Sequence, residues 1–234
     1  MAALSAPPGS LLGFVEPFLE SLRVRNYSEA TLKGREYYLT VFHRWLLERG
    51  VEEVGEVTPQ ILERYRRHLS HHRQTKGKGQ REGQPLSFRS QHTHLLPLRA
   101  FFKWMARQRH ILYNPASELE LPRLEKRLPR HVLTVAEVEQ LLSVPDLASP
   151  LGLRDRAMME VVYSTGMRRG EVAHLKGHDL DRERGTVFIR QGKGKKDRVV
   201  PIGARALLWV EKYLAEARPL FAVEPDAGYL FLAP

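Results

Sequence analysis

The chain has 234 residues, 42% of them hydrophobic and none of them cysteine. That is enough for one large domain or two small ones, and it excludes disulfides, thiolate nucleophiles and cysteine-based zinc sites. A formal charge of +10 and an isoelectric point near 10.0 point to a polyanionic partner: nucleic acid, including RNA, ahead of a membrane surface, because no long helix joins a basic face to a bare apolar one.

No run reaches the ~18 apolar residues of a membrane span, and residues 1–10 lack the basic start and apolar stretch of a signal peptide. The expected address is cytoplasmic, with no membrane partner. Residues 10–25 carry Leu12, Val15, Leu19 and Leu22 at helical spacing. Ser28 is an N-cap for a second helix with Leu32, Leu39, Phe42 and Leu46 on one face, ended by Gly50. Thr58 and Pro59 open a third through Leu62, Tyr65 and Leu69. A fourth spans roughly residues 87–108, with Leu95, Leu98, Phe102 and Met105 inward and a kink or break at Pro97. Four helices with short connections make a small bundle.

Between the third and fourth helices lies a polar, glycine-rich segment, residues 74–85. From Arg64 to Arg81 there are seven Arg or Lys and no Asp or Glu. Arg64, Arg67, Arg73, Lys76, Lys78 and Arg81 are therefore the candidate phosphate contacts of this half, set against the plainer possibility of a solvated loop. His68 with His72, and His92 with His94, raise a metal site. Without cysteine, or a carboxylate at metalloprotease spacing, the expectation is no metal and histidines at the surface or facing DNA.

A basic, proline-bearing stretch at residues 121–131 reads as a linker. Beyond it the pattern is mixed. Thr134 and Glu137 form a capping box leading into Val138, Leu141 and Leu142. Residues 153–163 read as a buried helix with Ala157, Met158, Val161 and Val162 inside. A turn at residues 164–166 leads to a short helix over 168–175. Residues 185–190 and 198–202 form a hairpin with Pro201 at an edge. A last helix over 204–217 carries Leu207, Leu208, Val210 and Leu214. The run from Tyr229 to Leu232 is apolar and has no partner element in the pattern.

Two motifs carry chemistry. In the first, Thr165-Gly166-Met167-Arg168 brings an arginine to a helix start, where free N–H groups and the dipole favour anions. A guanidinium there can fork two donors onto a phosphate. In the second, residues 190–198, Gly192 and Gly194 allow a tight turn with Lys193 at its tip, followed by Lys195, Lys196 and Arg198. By itself this is an ordinary basic turn, and it lacks the spacing of a P-loop.

Together and in this order the motifs resemble the tyrosine recombinase family, most closely its Xer-like branch. Thr165, Gly166, Arg168 and Glu171 match Thr-Gly-x-Arg-x-x-Glu. Gly192, Lys193, Gly194, Lys196, Arg198 and Pro201 match the family's lysine-bearing hairpin. Asn114-Pro115 and the linker, and residues 153–157, also look like the family, so the resemblance runs from about residue 14 to 232.

The resemblance implies a mainly α fold with a small antiparallel β component. Residues 1–120 would be an N-terminal four-helix core-binding domain, and residues 132–234 the first part of an α+β catalytic domain. It implies Arg168 as the first catalytic arginine and Lys193 as the catalytic lysine, both converging on one backbone phosphate. It further implies a 3′-phosphotyrosyl intermediate without metal or other cofactor, double-stranded DNA as partner, and tetramers on DNA for complete members.

No His-x-x-Arg follows Lys193, the last histidine being His178, and neither Tyr213 nor Tyr229 is a suitable nucleophile. The expectation is a truncated recombinase or integrase that binds DNA, does not cut it alone, and is mostly monomeric off DNA. The alternatives are a short accessory or regulatory DNA-binding protein of the same fold, and an unrelated nucleic-acid binder whose motifs match by chance.

Overall fold

The computed structural model describes residues 9–72, 83–125, 132–192 and 196–233. The chain divides into two compact units, Met1–Arg127 and Leu128–Pro234.

The first unit is built on four helices. A single 3-10 turn, Leu11–Phe14, leads into α1 (Val15–Arg23), so the helix expected from residue 10 starts later, and Leu11 and Phe18 are buried where Leu12 is only half-buried. Next come α2 (Glu29–Leu47), α3 (Pro59–His71) and α4 (Phe88–Arg107). Ser28 and Thr58 cap as expected, and Ser87 proves to be a third cap. Ser28 accepts from the Thr31 amide, Thr58 from Ile61 and Ser87 from Ser90, each satisfying an amide that the helix leaves open.

Gly50 adopts a left-handed φ of 69° three residues beyond α2. α4 runs without a break through Pro97, which is buried among Leu95, Leu98, Phe101 and Phe102. One missing hydrogen bond is outweighed there by the packing of the turns on either side. Aromatic side chains lock the centre: Phe18 meets Phe101 edge-on at 5.4 Å, and Phe42 meets Tyr65 at 4.8 Å.

The second unit contains α5 (Val135–Leu142), α6 (Pro150–Thr165), α7 (Arg169–Ala173) and α8 (Ala204–Glu216). The unit also holds an antiparallel sheet of β1 (Leu180–Asp181), β2 (Thr186–Ile189) and β3 (Arg198–Pro201), in the order β1-β2-β3. Val187 pairs with Val200 and Ile189 with Arg198, which turns Val187 and Ile189 into the core. The two-residue β1 is too short to leave a pattern in the sequence. Pro201 does lie on an edge strand, as its missing N–H requires.

Several inward assignments are corrected. Of the α5 residues only Leu142 is buried, while Leu141, Val162 of α6 and Leu208 of α8 are exposed. Glu160 of α6 is instead buried, because arginines from both sides meet it. The Arg156 guanidinium donates to Oε1 at 2.8 and 3.1 Å and Arg205 to Oε2 at 2.9 Å. The same two arginines reach the Leu142 carbonyl and Glu139, which ties α5, α6 and α8 together.

The run at residues 229–232 also has partners. The Leu230 N–H donates to the Leu175 carbonyl, and that of Leu232 to the Tyr213 hydroxyl. Arg218 and Arg154 donate to the carbonyls of Tyr229 and Leu232. Leu230 and Phe231 are core residues. A single antiparallel bridge, Tyr229 to Lys176, and side-chain donors and acceptors satisfy this backbone rather than a full strand, so no partner element was visible in the pattern.

Glu160→Gln leaves Arg156, 12% exposed, facing a neutral amide. We expect a loss of about 3 kcal/mol, the usual cost of breaking one side of a buried ion pair, seen as a lower urea midpoint at unchanged slope. A loss below about 1 kcal/mol would show that water already solvates this carboxylate.

Candidate phosphate-binding site

Thr165 closes α6 by donating its hydroxyl to the Val161 carbonyl at 2.6 Å. Gly166 then takes a left-handed φ of 64°, which reverses the chain at little steric cost. Met167 is buried, anchoring the turn so that Arg168 emerges as the N-cap of α7 with its side chain 58% exposed.

The helix start is not itself an open anion site. α7 has five residues, and the Arg168 N–H is taken by Glu171 Oε2 at 2.9 Å. Attraction for phosphate therefore rests on side chains.

Glu171 is the centre of the arrangement. Its side chain is 8% exposed. Arg198 of β3 donates to Oε1 at 2.9 Å and to Oε2 at 2.7 Å, and the Arg168 guanidinium reaches Oε1 at 3.1 Å. The Arg198 fork above all, with the Arg168 amide and guanidinium behind it, holds the Glu171 carboxyl down at about 2 against the ordinary 4.5. The same contact raises Arg198.

Gly166, Arg168, Lys196 and Arg198 line one open cavity of about 420 Å³. Three cations with a single carboxylate among them leave a surplus of positive charge, which suits a phosphodiester.

The hairpin base is closed by the Gly192 N–H to the Lys196 carbonyl at 3.0 Å, and by the Gln191 N–H to the Asp197 carboxylate at 2.7 Å. Gly192 is required by close approach. A Cβ there would stand 2.6 Å from Arg198 Nη1 and 2.9 Å from Glu171 Oε1. Lys193 and Lys195 lie outside the described residues, so of the second motif only Lys196 and Arg198 are placed beside Arg168.

In the first unit Arg64 and Arg67 are exposed on α3, and Arg73, Lys76, Lys78 and Arg81 lie outside the described residues. Glu63 precedes them, holding Arg66 at 2.8 Å and Arg67 at 3.7 Å, so part of this charge is already compensated. Among the described residues no group of three or more His, Asp or Glu side chains is arranged to hold a metal. His68 and His94 are half-buried in an aromatic seam rather than free at the surface. His94 sits 4.6 Å from Tyr38 and within 3.3 Å of the Tyr65 hydroxyl. Burial lowers the affinity of both rings for a proton.

The sequence reading missed a basic face on α4. That helix holds no acid, and Arg89, Arg99, Lys103 and Arg107 are all exposed, with Leu96 among them. At a helical turn of about 100° per residue they fall within one narrow stripe. Twenty residues without a carboxylate were the available signal.

Gly192→Ala should separate Arg198 from Glu171 and lower the midpoint of thermal unfolding. Because the Glu171 carboxyl is lowered on folding, the stability it contributes is present above pH 4.5 and is lost as pH falls toward 2. Glu171→Gln should flatten that part of the stability–pH profile by on the order of 3 kcal/mol. An unchanged acid limb would show that the clamp is not formed.

Residues 131–233 match the phage integrase family. The chain is 51% identical over 221 residues to tyrosine recombinase XerC 2 of Ralstonia nicotianae, covering 94% of this chain and 62% of that protein. It is 32% identical over 222 residues to tyrosine recombinase XerC of Oceanobacillus iheyensis, covering 94% and 68%. The XerH site-specific recombinase bound to difH substrate in a pre-cleavage complex superposes with a TM-score of 0.66 at 20% identity, over 95% of this chain and 62% of that one. The Tn1549 transposon integrase in complex with circular intermediate DNA gives 0.61 at 18%, over 96% and 71%. These two likenesses show the fold. The chain spans about two thirds of the length of the curated relatives it matches. Identity at this level, with both motifs in place, makes the chain a member of the Xer tyrosine recombinase family.

Proposed function

We propose that these 234 residues are the duplex-DNA-binding portion of a site-specific recombinase, and that they do not cleave DNA by themselves. The observation that carries the reading is the cavity where Arg168, Lys196 and Arg198 meet. The XerH and Tn1549 proteins were solved on DNA, which supports DNA as the partner here.

In this reading residues 1–120 are a core-binding domain, residues 121–131 the linker, and residues 132–234 the first part of the catalytic domain. Arg64, Arg67, Arg73, Lys76, Lys78 and Arg81 contact phosphates, joined by the α4 stripe. Lys195 and Lys196 do so in the second unit, where the charge count alone would add Arg198. The protein works in the cytoplasm and is monomeric off DNA, with tetramers belonging to the complete recombinase.

The chemistry follows from charge. In-line displacement at a phosphodiester puts negative charge on the non-bridging oxygens, and a fixed guanidinium at Arg168 stabilises it. The departing 5′ oxygen takes a proton, the role assigned to Lys193. A tyrosyl ester conserves the phosphodiester energy for rejoining.

Tyr213 does not fit the attacking role. It is fully buried, its hydroxyl accepts from the Leu232 N–H, and burial raises it further above the ordinary tyrosine range. Strand cleavage then falls to residues outside these 234.

Anisotropy titration with labelled duplex DNA should give an affinity that falls with salt at a log–log slope of about −5. Arg168→Ala should weaken binding only about three- to tenfold, one charge-assisted contact among many. Reversing Arg99 and Lys103 to Glu should weaken it more than tenfold and make the slope shallower. A flat salt response sinks the phosphate-contact reading, and a covalent adduct on a nicked suicide duplex sinks the assignment of cleavage elsewhere.

A further inference from the structure

Arg198 matches the hairpin motif, and the charge count makes it one more phosphate contact. Its geometry gives it a different task. Both terminal nitrogens are engaged with Glu171, one on each carboxylate oxygen, at 2.9 and 2.7 Å. Glu171 in turn holds Arg168 twice, at its backbone N–H and at its guanidinium.

Arg198 sits on β3 and Arg168 at the entry of α7, thirty residues apart in the chain. The carboxylate is the bridge between them. Gly192 lies against this bridge with no room for a side chain, so the hairpin base is seated on the pair rather than beside it. Lys196, whose carbonyl closes the hairpin base, lines the same cavity as Arg168.

We propose that Arg198 is a positioning residue. By gripping Glu171 with a two-pronged fork it registers the β2–β3 hairpin against the α7 entry, so that Arg168 and the hairpin's Lys196 meet one phosphate as a unit. The inference rests on the DNA-binding reading above and deepens it. A lysine at this position keeps the charge but cannot occupy both carboxylate oxygens in the plane of the fork. Positioning and simple charge therefore predict different behaviour for the same substitution.

The test is a double-mutant cycle on the full 234-residue chain, read by anisotropy with labelled duplex DNA at fixed salt. If Arg198 works through Arg168, Arg198→Met and Arg198→Lys weaken binding by a similar factor, about three- to tenfold. Adding either to Arg168→Ala then costs less than a further twofold. If Arg198 only supplies charge, Arg198→Lys binds like the unaltered chain, and the loss from Arg198→Met multiplies with that from Arg168→Ala. That outcome overturns the proposal.

Gly192→Ala provides an independent variant that leaves every charge in place, and it should reproduce the Arg198→Met loss. Wild-type affinity in a folded Gly192→Ala protein counts against the proposal, and circular dichroism melts identify any variant that has not folded. An unaltered chain that fails to bind duplex DNA overturns the DNA-binding reading as well. Binding with independent losses overturns the coupling alone.

Discussion

The second unit depends on one carboxylate being surrounded by donors. Glu171 is nearly excluded from water and accepts from the Arg198 fork, the Arg168 amide and the Arg168 guanidinium. A buried carboxylate with fewer partners would take up a proton or drag the surrounding loops apart. With these partners it stays ionised and fixes two segments distant in sequence. The turn at Gly166 serves that geometry through its left-handed φ, Met167 through its buried side chain, and Gly192 by leaving room where a Cβ would intrude.

Glu160 repeats the principle away from the cleft. It too is a buried carboxylate between two arginines, and it joins α5, α6 and α8. The two differ in what remains outside. At Glu160 the Arg156 guanidinium turns inward, to the Leu142 carbonyl and over the Trp209 ring, and Arg205 is shared with a second carboxylate, Glu139. Around Glu171, Arg168 keeps more than half its surface in solvent and Lys196 stands at the cavity beside it. One cluster spends its charge on cohesion, and the other leaves charge free for an anion.

Much of the fold was legible because the local signals are mechanical. Ser28, Thr58 and Thr134 each cap the helix they precede, and Gly166 reverses the chain at a left-handed φ that a residue without Cβ adopts easily. Arg168 and the hairpin were recognisable as a pair because glycines bracket cations in a fixed order.

What escaped the sequence depends on partners far along the chain. Glu160 reads as a surface residue until Arg205 is brought against it from 45 positions away. Leu141 and Leu208 have helical spacing yet face outward, since spacing gives a face but not what covers it. The apolar run at 229–232 is satisfied by one backbone bridge to residues 175–176, by arginine side chains and by a tyrosine hydroxyl, a solution that leaves no periodicity. The α4 stripe was readable in its lack of acid, but the more conspicuous glycine-rich loop drew the assignment.

The sheet's outer strand has a consequence of its own. β3 is only four residues long, has no strand beyond it among the described residues, and ends in Pro201. An open rim of this kind invites a second molecule to add its own strand. The brevity of the rim, the cationic fork at one end and the ring lacking an N–H at the other leave too few aligned donors for such a graft. The same four residues that carry the fork to Glu171 thus also keep the sheet from growing by strand addition.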